Sequence, residues 1–123
     1  MLEKIEQVPP TIEKEVVLTL ASNGDVVLFG TPGHIGPSKR EYRLLQRLIS
    51  KNGGNVSHNE IARLVYKKKD TDALRLEMPD LVRKLKNLLK EISKEDISKL
   101  VKNSRNLGYR LNLQENQEAK LLP

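Results

Sequence analysis

The apolar residues of this chain change their spacing along its length, and each change marks an element. Val16, Val17, Leu18 and Leu20 form a run rich in β-branched side chains, Asn23-Gly24 is a hairpin turn signal, and Val26 to Phe29 supplies a returning strand. Gly30 to Pro37 holds too many glycines and prolines for a regular element; it reads as a loop with room for one short strand around Ile35. At Ser38 the spacing lengthens. Ser38-Lys39-Arg40-Glu41 fits a capping box, Tyr42, Leu45, Leu48 and Ile49 recur at helical intervals, and Asn52-Gly53-Gly54 supplies residues that tolerate a left-handed stop. Ser57-His58-Asn59-Glu60 fits a second capping box, after which Ile61, Leu64 and Val65 give a short second helix its buried face. Lys67 to Asp72 reads as a charged loop, and Pro79 fits only the first turn of a helix.

From Met78 onward, Met78, Leu81, Val82, Leu85, Leu88, Leu89 and Ile92 fall on one side of that third helix. Arg83, Asn87 and Lys90 occupy the centre of its other side, flanked by Asp80, Lys84 and Lys86. Beyond a polar stretch around Ser93 to Ser98, Leu100 to Asn103 and Tyr109 to Leu113 read as two strands joined by Ser104-Arg105-Asn106-Leu107-Gly108. The segment Glu3 to Pro10 ends in two prolines and Gln114 to Pro123 has little to bury. One domain over 12–113 is therefore expected, between a linker or flexible N-terminus at 1–11 and a flexible tail at 114–123.

Composition narrows the class. A chain of 123 residues that is 37% hydrophobic supports one core. Without cysteine, neither a disulfide framework nor a thiolate metal site is available, and a reducing cytoplasm is the natural compartment. Met1 to Thr11 lacks the basic start and apolar stretch of a signal peptide, and no apolar run is long enough to span a bilayer. The net charge of +6 is unevenly placed: residues 38–113 hold 19 of the 22 basic side chains but only 9 of the 16 acidic ones. That excess fits either a solvated lysine-rich surface or a polyanion site, so charge does not choose between them.

The order of elements does choose. Three helices followed at once by a hairpin with a basic tip predict an α+β winged helix-turn-helix: a three-helix core, an N-terminal β-hairpin or sheet, and a C-terminal β-hairpin wing. Such a fold offers its third helix to the major groove and its wing to phosphates or the adjacent minor groove. From Ser38 to Leu111 the chain resembles the C-terminal effector domain of OmpR/PhoB-type response regulators. The resemblance rests on "SKREYRLLQRLI" for the first helix, "GGNVSHNEIARLVY" for the turn and second helix, "DLVRKLKNLL" for the recognition helix, and "LVKNSRNLGYRL" for the wing with its Gly-Tyr-Arg ending. The hairpin from Val16 to Phe29 resembles the family's N-terminal sheet.

This resemblance implies a transcription regulator that binds double-stranded DNA in a bacterial-type cytoplasm and is not an enzyme. Arg83, Lys84 and Lys86 would correspond to basic recognition-helix positions that meet bases or phosphates, and Arg105 to the wing-tip arginine; Asn87 and Lys90 complete the candidate site from their place on the helix. Family members often bind as tandem dimers on direct repeats, and in activators the loop before the third helix, here Lys67 to Glu77, touches RNA polymerase. Three positions depart from the pattern: Tyr66 replaces the usual tryptophan, Pro79 enters the recognition helix, and Leu81 stands where a polar, DNA-facing residue is common. No phosphoacceptor domain precedes these residues, which fits either an excised piece or regulation without phosphorylation.

The remaining motifs carry less. His34 and His58 are the only histidines and lack cysteine partners, so no metal is expected; Gly30 to Lys39 lacks the Gly-Lys-Ser/Thr of a phosphate loop, so no cofactor is either. Asn55-Val56-Ser57 is a chance match to a glycosylation acceptor, and no nucleophile, base and orienting group suggest a triad. The rival from another class is a winged-helix protein-interaction or regulatory module of a larger assembly, which Asp80 and Leu81 on the third helix favour.

Overall fold

The computed structural model describes residues 15–66, 77–93, 99–103 and 108–123. Its elements follow in the order β1 (Glu15–Ala21), β2 (Asp25–Leu28), β3 (Thr31–His34), α1 (Arg40–Ser50), β4 (Val56–Ser57), α2 (His58–Glu60, continued as a π-helical turn over Ile61–Val65), α3 (Glu77–Ser93), β5 (Val101–Asn103), β6 (Gly108–Leu111) and β7 (Gln117–Leu122). The strands make two sheets, one ordered β3-β2-β1-β7 and one β4-β6-β5. None of the described helices is long and apolar enough to cross a membrane.

The N-terminal sheet follows from its alternation. Leu18 opposite Leu28 and Leu20 opposite Val26 place four apolar side chains on one face, where all four are buried. Val17 is buried as well, which strict alternation forbids; the register shift between Val16 and Leu18 opposite β7 marks the irregularity that lets two successive side chains turn inward. The Asn23 side chain accepts the Asp25 N–H at 3.0 Å and steadies the hairpin turn. The strand sought around Ile35 forms slightly earlier, as β3, and Ile35 itself joins the core.

The first helix begins one residue later than its capping box suggests. Lys39 is the N-cap and its side chain makes no cap bond, because an ammonium has no acceptor to offer the first-turn N–H groups; its own N–H donates to the Gly36 carbonyl at 3.0 Å. The second capping box forms. Ser57 Oγ accepts the Glu60 N–H at 3.1 Å, and the Glu60 carboxylate reaches back to accept from the Ser57 backbone while also meeting Arg47 of α1 and Lys51 just beyond it. Leu64 is exposed, against expectation. Ile61 and Val65 are buried as expected; the Tyr66 N–H bonds to the Ile61 carbonyl five residues back, and this wider turn brings Ala62 and Tyr66 inward in place of Leu64.

The largest correction concerns the C-terminus. Residues 114–123, expected to be a flexible tail, supply β7, which runs parallel to β1 from Glu15 opposite Gln117 to Ala21 opposite Leu122. Its hold is tertiary: Ala119 packs into the core, and its N–H reaches Asn52 Oδ1 at 3.4 Å. Asn52 is itself at φ 46°, in the left-handed stop of α1, so one residue ends the helix and receives the strand. The segment 1–11 lies outside the described residues.

Candidate nucleic-acid interface

Helix α3 packs through Met78, Leu81, Val82, Leu85 and Leu89, all buried, with Leu88 and Ile92 partly so. Pro79 is its third residue, where the missing N–H costs no helical bond. Leu81 belongs to the core, so the family's polar, DNA-facing role does not transfer to it. Arg83, Asn87 and Lys90 are exposed along the middle of the outward face.

The two flanks differ. Lys86 lines a groove of about 270 Å³ with Pro79, Val82 and Arg83 of α3 and Asn103 and Tyr109 of the wing. Lys84 lies on the opposite flank, in an open cleft of about 710 Å³ that it shares with Lys39, Arg40, Glu41, Tyr66, Glu77, Asp80 and Leu81. There the Arg40 guanidinium sits 4.5 Å from the centre of the Tyr66 ring, a cation–π contact. Burial, reinforced by Glu77 and opposed by Arg40, pushes the Tyr66 hydroxyl above its ordinary value.

Asp80 links the two sides. Its Oδ1 accepts a hydrogen bond from Arg83 Nη2, and its Oδ2 lies 3.4 Å from Lys84 Nζ. The Arg83 bond, with help from Lys84 and against slight desolvation, holds the Asp80 carboxyl below its usual value. All three side chains remain open to solvent, at 44% for Asp80, 67% for Arg83 and 59% for Lys84.

The wing adds two cations that helix spacing does not reveal. Lys102 pairs with Arg110 across β5 and β6, while their neighbours Val101 and Leu111 face the core. Strand alternation is the signal that finds them. Like charges directly opposite one another are unfavourable, and no carboxylate among the described residues pairs with either. Arg105, between these strands in sequence, lies outside the described residues. Behind the face, Arg47 donates from Nε and Nη2 to one Glu60 oxygen at 3.0 and 2.9 Å, and Lys51 approaches the other at 3.5 Å, fixing α2 against α1. Of the histidines, His34 meets Asp25 at 3.2 Å and His58 stands edge-on to the Tyr109 ring.

A helical core with a third helix turned outward and a β-hairpin beside it is the winged-helix arrangement of a transcription regulator. The sequence profile described as "Transcriptional regulatory protein, C terminal" matches residues 32–111, and the chain belongs to that family. Among solved structures, the DNA-binding domain of Escherichia coli CadC has the same fold, with a TM-score of 0.57 at 18% identity over 82% of this chain and 95% of that one. Comparison with curated protein sequences gives no match.

Proposed function

We propose that this domain regulates transcription by sequence-specific binding of double-stranded DNA, with α3 in the major groove and the β5–β6 wing on phosphates or the neighbouring minor groove. The observation that carries this reading is the division of labour around α3. Arg83 and Asn87 occupy the centre of the exposed face, which in a groove lies over base edges, while Lys84 and Lys86 stand on opposite flanks, where the two phosphate backbones run. Lys90 extends the central row, Arg105 is the wing-tip contact, and Lys102 and Arg110 add charge at the base of the wing. Arginine suits guanine and asparagine suits adenine, each through two hydrogen bonds.

RNA polymerase is the proposed second partner, through the segment Lys67 to Glu77, whose described neighbours Tyr66 and Glu77 line the cleft beside α3. Tandem binding to direct repeats and a nucleoid-associated, cytoplasmic setting follow from the family resemblance. Selection of bound sites from a random duplex pool, followed by salt titration on selected and random DNA, tests the reading. A shared motif should emerge, and Lys86→Ala should reduce the log–log salt slope by about 1. A domain that ignores duplex DNA at low salt would instead support the protein-interaction reading, for which the mixed-charge cleft around Tyr66 and Leu81 is the favoured surface.

A further inference from the structure

Most of the recognition face is basic, yet a carboxylate stands within its first turns. On an isolated helix, Asp80 with Arg83 three residues on and Lys84 four residues on would be an ordinary pair of solvent-screened surface ion bridges. On a face that must approach phosphate it has two further consequences. A fixed negative charge repels the backbone of any sequence, and a guanidinium already bonded at one nitrogen has lost much of its freedom to wander.

We propose that Asp80 is a positioning and discriminating residue for DNA recognition: it holds Arg83 over the base edges and keeps Lys84 from engaging phosphate indiscriminately. This rests on the DNA-binding reading above. The geometry gives the mechanism. Arg83 uses one Nη2 hydrogen for Asp80, which leans the side chain along the helix toward its N-terminus and leaves four hydrogens, on Nε, Nη1 and Nη2, to donate. Arg83 also lines the groove between α3 and the wing, so without Asp80 its long side chain is free to swing toward that side and the phosphates there. Lys84 shares the same carboxylate through the other oxygen, at 3.4 Å, so part of its charge is cancelled before DNA arrives. Asp80 thus weakens binding to every duplex and spares the sequences on which Arg83 finds its base, which raises the ratio that matters for finding a site.

The test is a double-mutant cycle on the full 123-residue chain, scored on selected and random duplexes. Asp80→Asn and Asp80→Ala should bind random duplex more tightly, with a log–log salt slope steeper by up to about 1 as Lys84 is released. At the base pair read by Arg83, their preference should fall about 2-fold, the most that an exposed ion bridge can contribute by biasing one side chain. Arg83→Lys keeps the charge but loses the fork; in that background, Asp80→Ala should cause no further loss of preference at the same base pair. Circular dichroism should show all variants folded, since both side chains are exposed. Undiminished preference in the Asp80 variants would overturn the proposal while leaving DNA binding intact. So would an equal loss in the Arg83→Lys background, because Asp80 would then be touching DNA itself. A wild-type chain that binds no duplex at low salt would overturn both this proposal and the reading beneath it.

Discussion

Gly108, the residue where the wing returns to the body, should not tolerate even a methyl group. Its φ is +139°, and a β-carbon built there would lie 2.7 Å from the Val56 carbonyl carbon and 2.8 Å from Ser57 Cα, with the Val56 carbonyl oxygen closer still. These are backbone atoms, so no side chain can swing aside. Relief requires β6 to move off β4, yet β4 is two residues long and pairs only as Val56 with Tyr109 and Ser57 with Gly108. An ordinary residue held in a sparsely populated backbone region costs about 1–3 kcal/mol. Loss of one or two ladder hydrogen bonds adds about 1 kcal/mol each. Displacing Ser57 also disturbs the cap it provides to α2 through the Glu60 N–H. Gly108→Ala should therefore destabilise the domain by about 3 kcal/mol, a large part of an ordinary stability of roughly 5–15 kcal/mol. Urea unfolding followed by circular dichroism measures this as a lower midpoint at unchanged slope. Duplex binding by the folded fraction should fall too, because the strand that moves carries Arg110 and one side of the wing. A loss below about 1 kcal/mol would refute the close approach of β6 to β4.

Leu85 is fully buried midway along α3, so Leu85→Ala should cost about 2–5 kcal/mol in the same unfolding assay, and a loss below about 1 kcal/mol would mean that α3 is rotated. Burial alone would raise the Glu60 carboxyl, but the Arg47 hydrogen bond, Lys51, the Arg47 charge and the Ser57 contact together hold it below its ordinary value of 4.5. Its contribution is thus complete above about pH 4.5 and is lost as pH falls through the lower folded value; Glu60→Gln should cost about 1 kcal/mol near neutrality, and the two denaturation midpoints should converge in acid. Arg105→Ala should weaken duplex binding in a gel shift while leaving the thermal midpoint unchanged, since a phosphate or minor-groove contact contributes almost nothing to the core.

The legible parts of this molecule are those whose signal is local. The hairpin of β1 and β2, the start of α2 at Ser57 and the buried stripe of α3 each follow from a period or a cap confined to a few residues. The errors share a different cause. Gln117 to Leu122 contains no β-branched residue and becomes a strand only because β1 presents an open edge and Asn52 an acceptor, both distant in sequence. Leu64 misleads because a helical wheel assumes a uniform turn, and one bond from Tyr66 to Ile61 suffices to break that assumption. The candidate site was legible as a central row and two flanks on α3, but not in what each flank faces. That Lys84 and Lys86 face different neighbours depends on which elements flank α3, and periodicity on one helix carries no information about that.

The two sheets also explain how a 17-residue helix with a solvent-facing side can be aimed. At its C-terminal end α3 meets β3, where Gly33 leaves room for Ile92: a β-carbon on Gly33 would fall 2.5–2.9 Å from three Ile92 side-chain atoms. At its N-terminal end Pro79 and Val82 face Tyr109 of the wing sheet across the groove of about 270 Å³. A helix seated on α1, β2 and β3 cannot roll without unpacking that seat, because close-packed contacts resist continuous deformation. The strand that closes the N-terminal sheet, β7, and the strand that closes the wing, β6, are joined by only a few residues, 112–116. The C-terminal segment, which has little apolar content of its own, thereby connects the sheet on which α3 is seated to the sheet that faces α3 across the groove. The direction in which Arg83 and Asn87 point is in this sense a property of the fold that seats α3, where Gly33 makes room for Ile92.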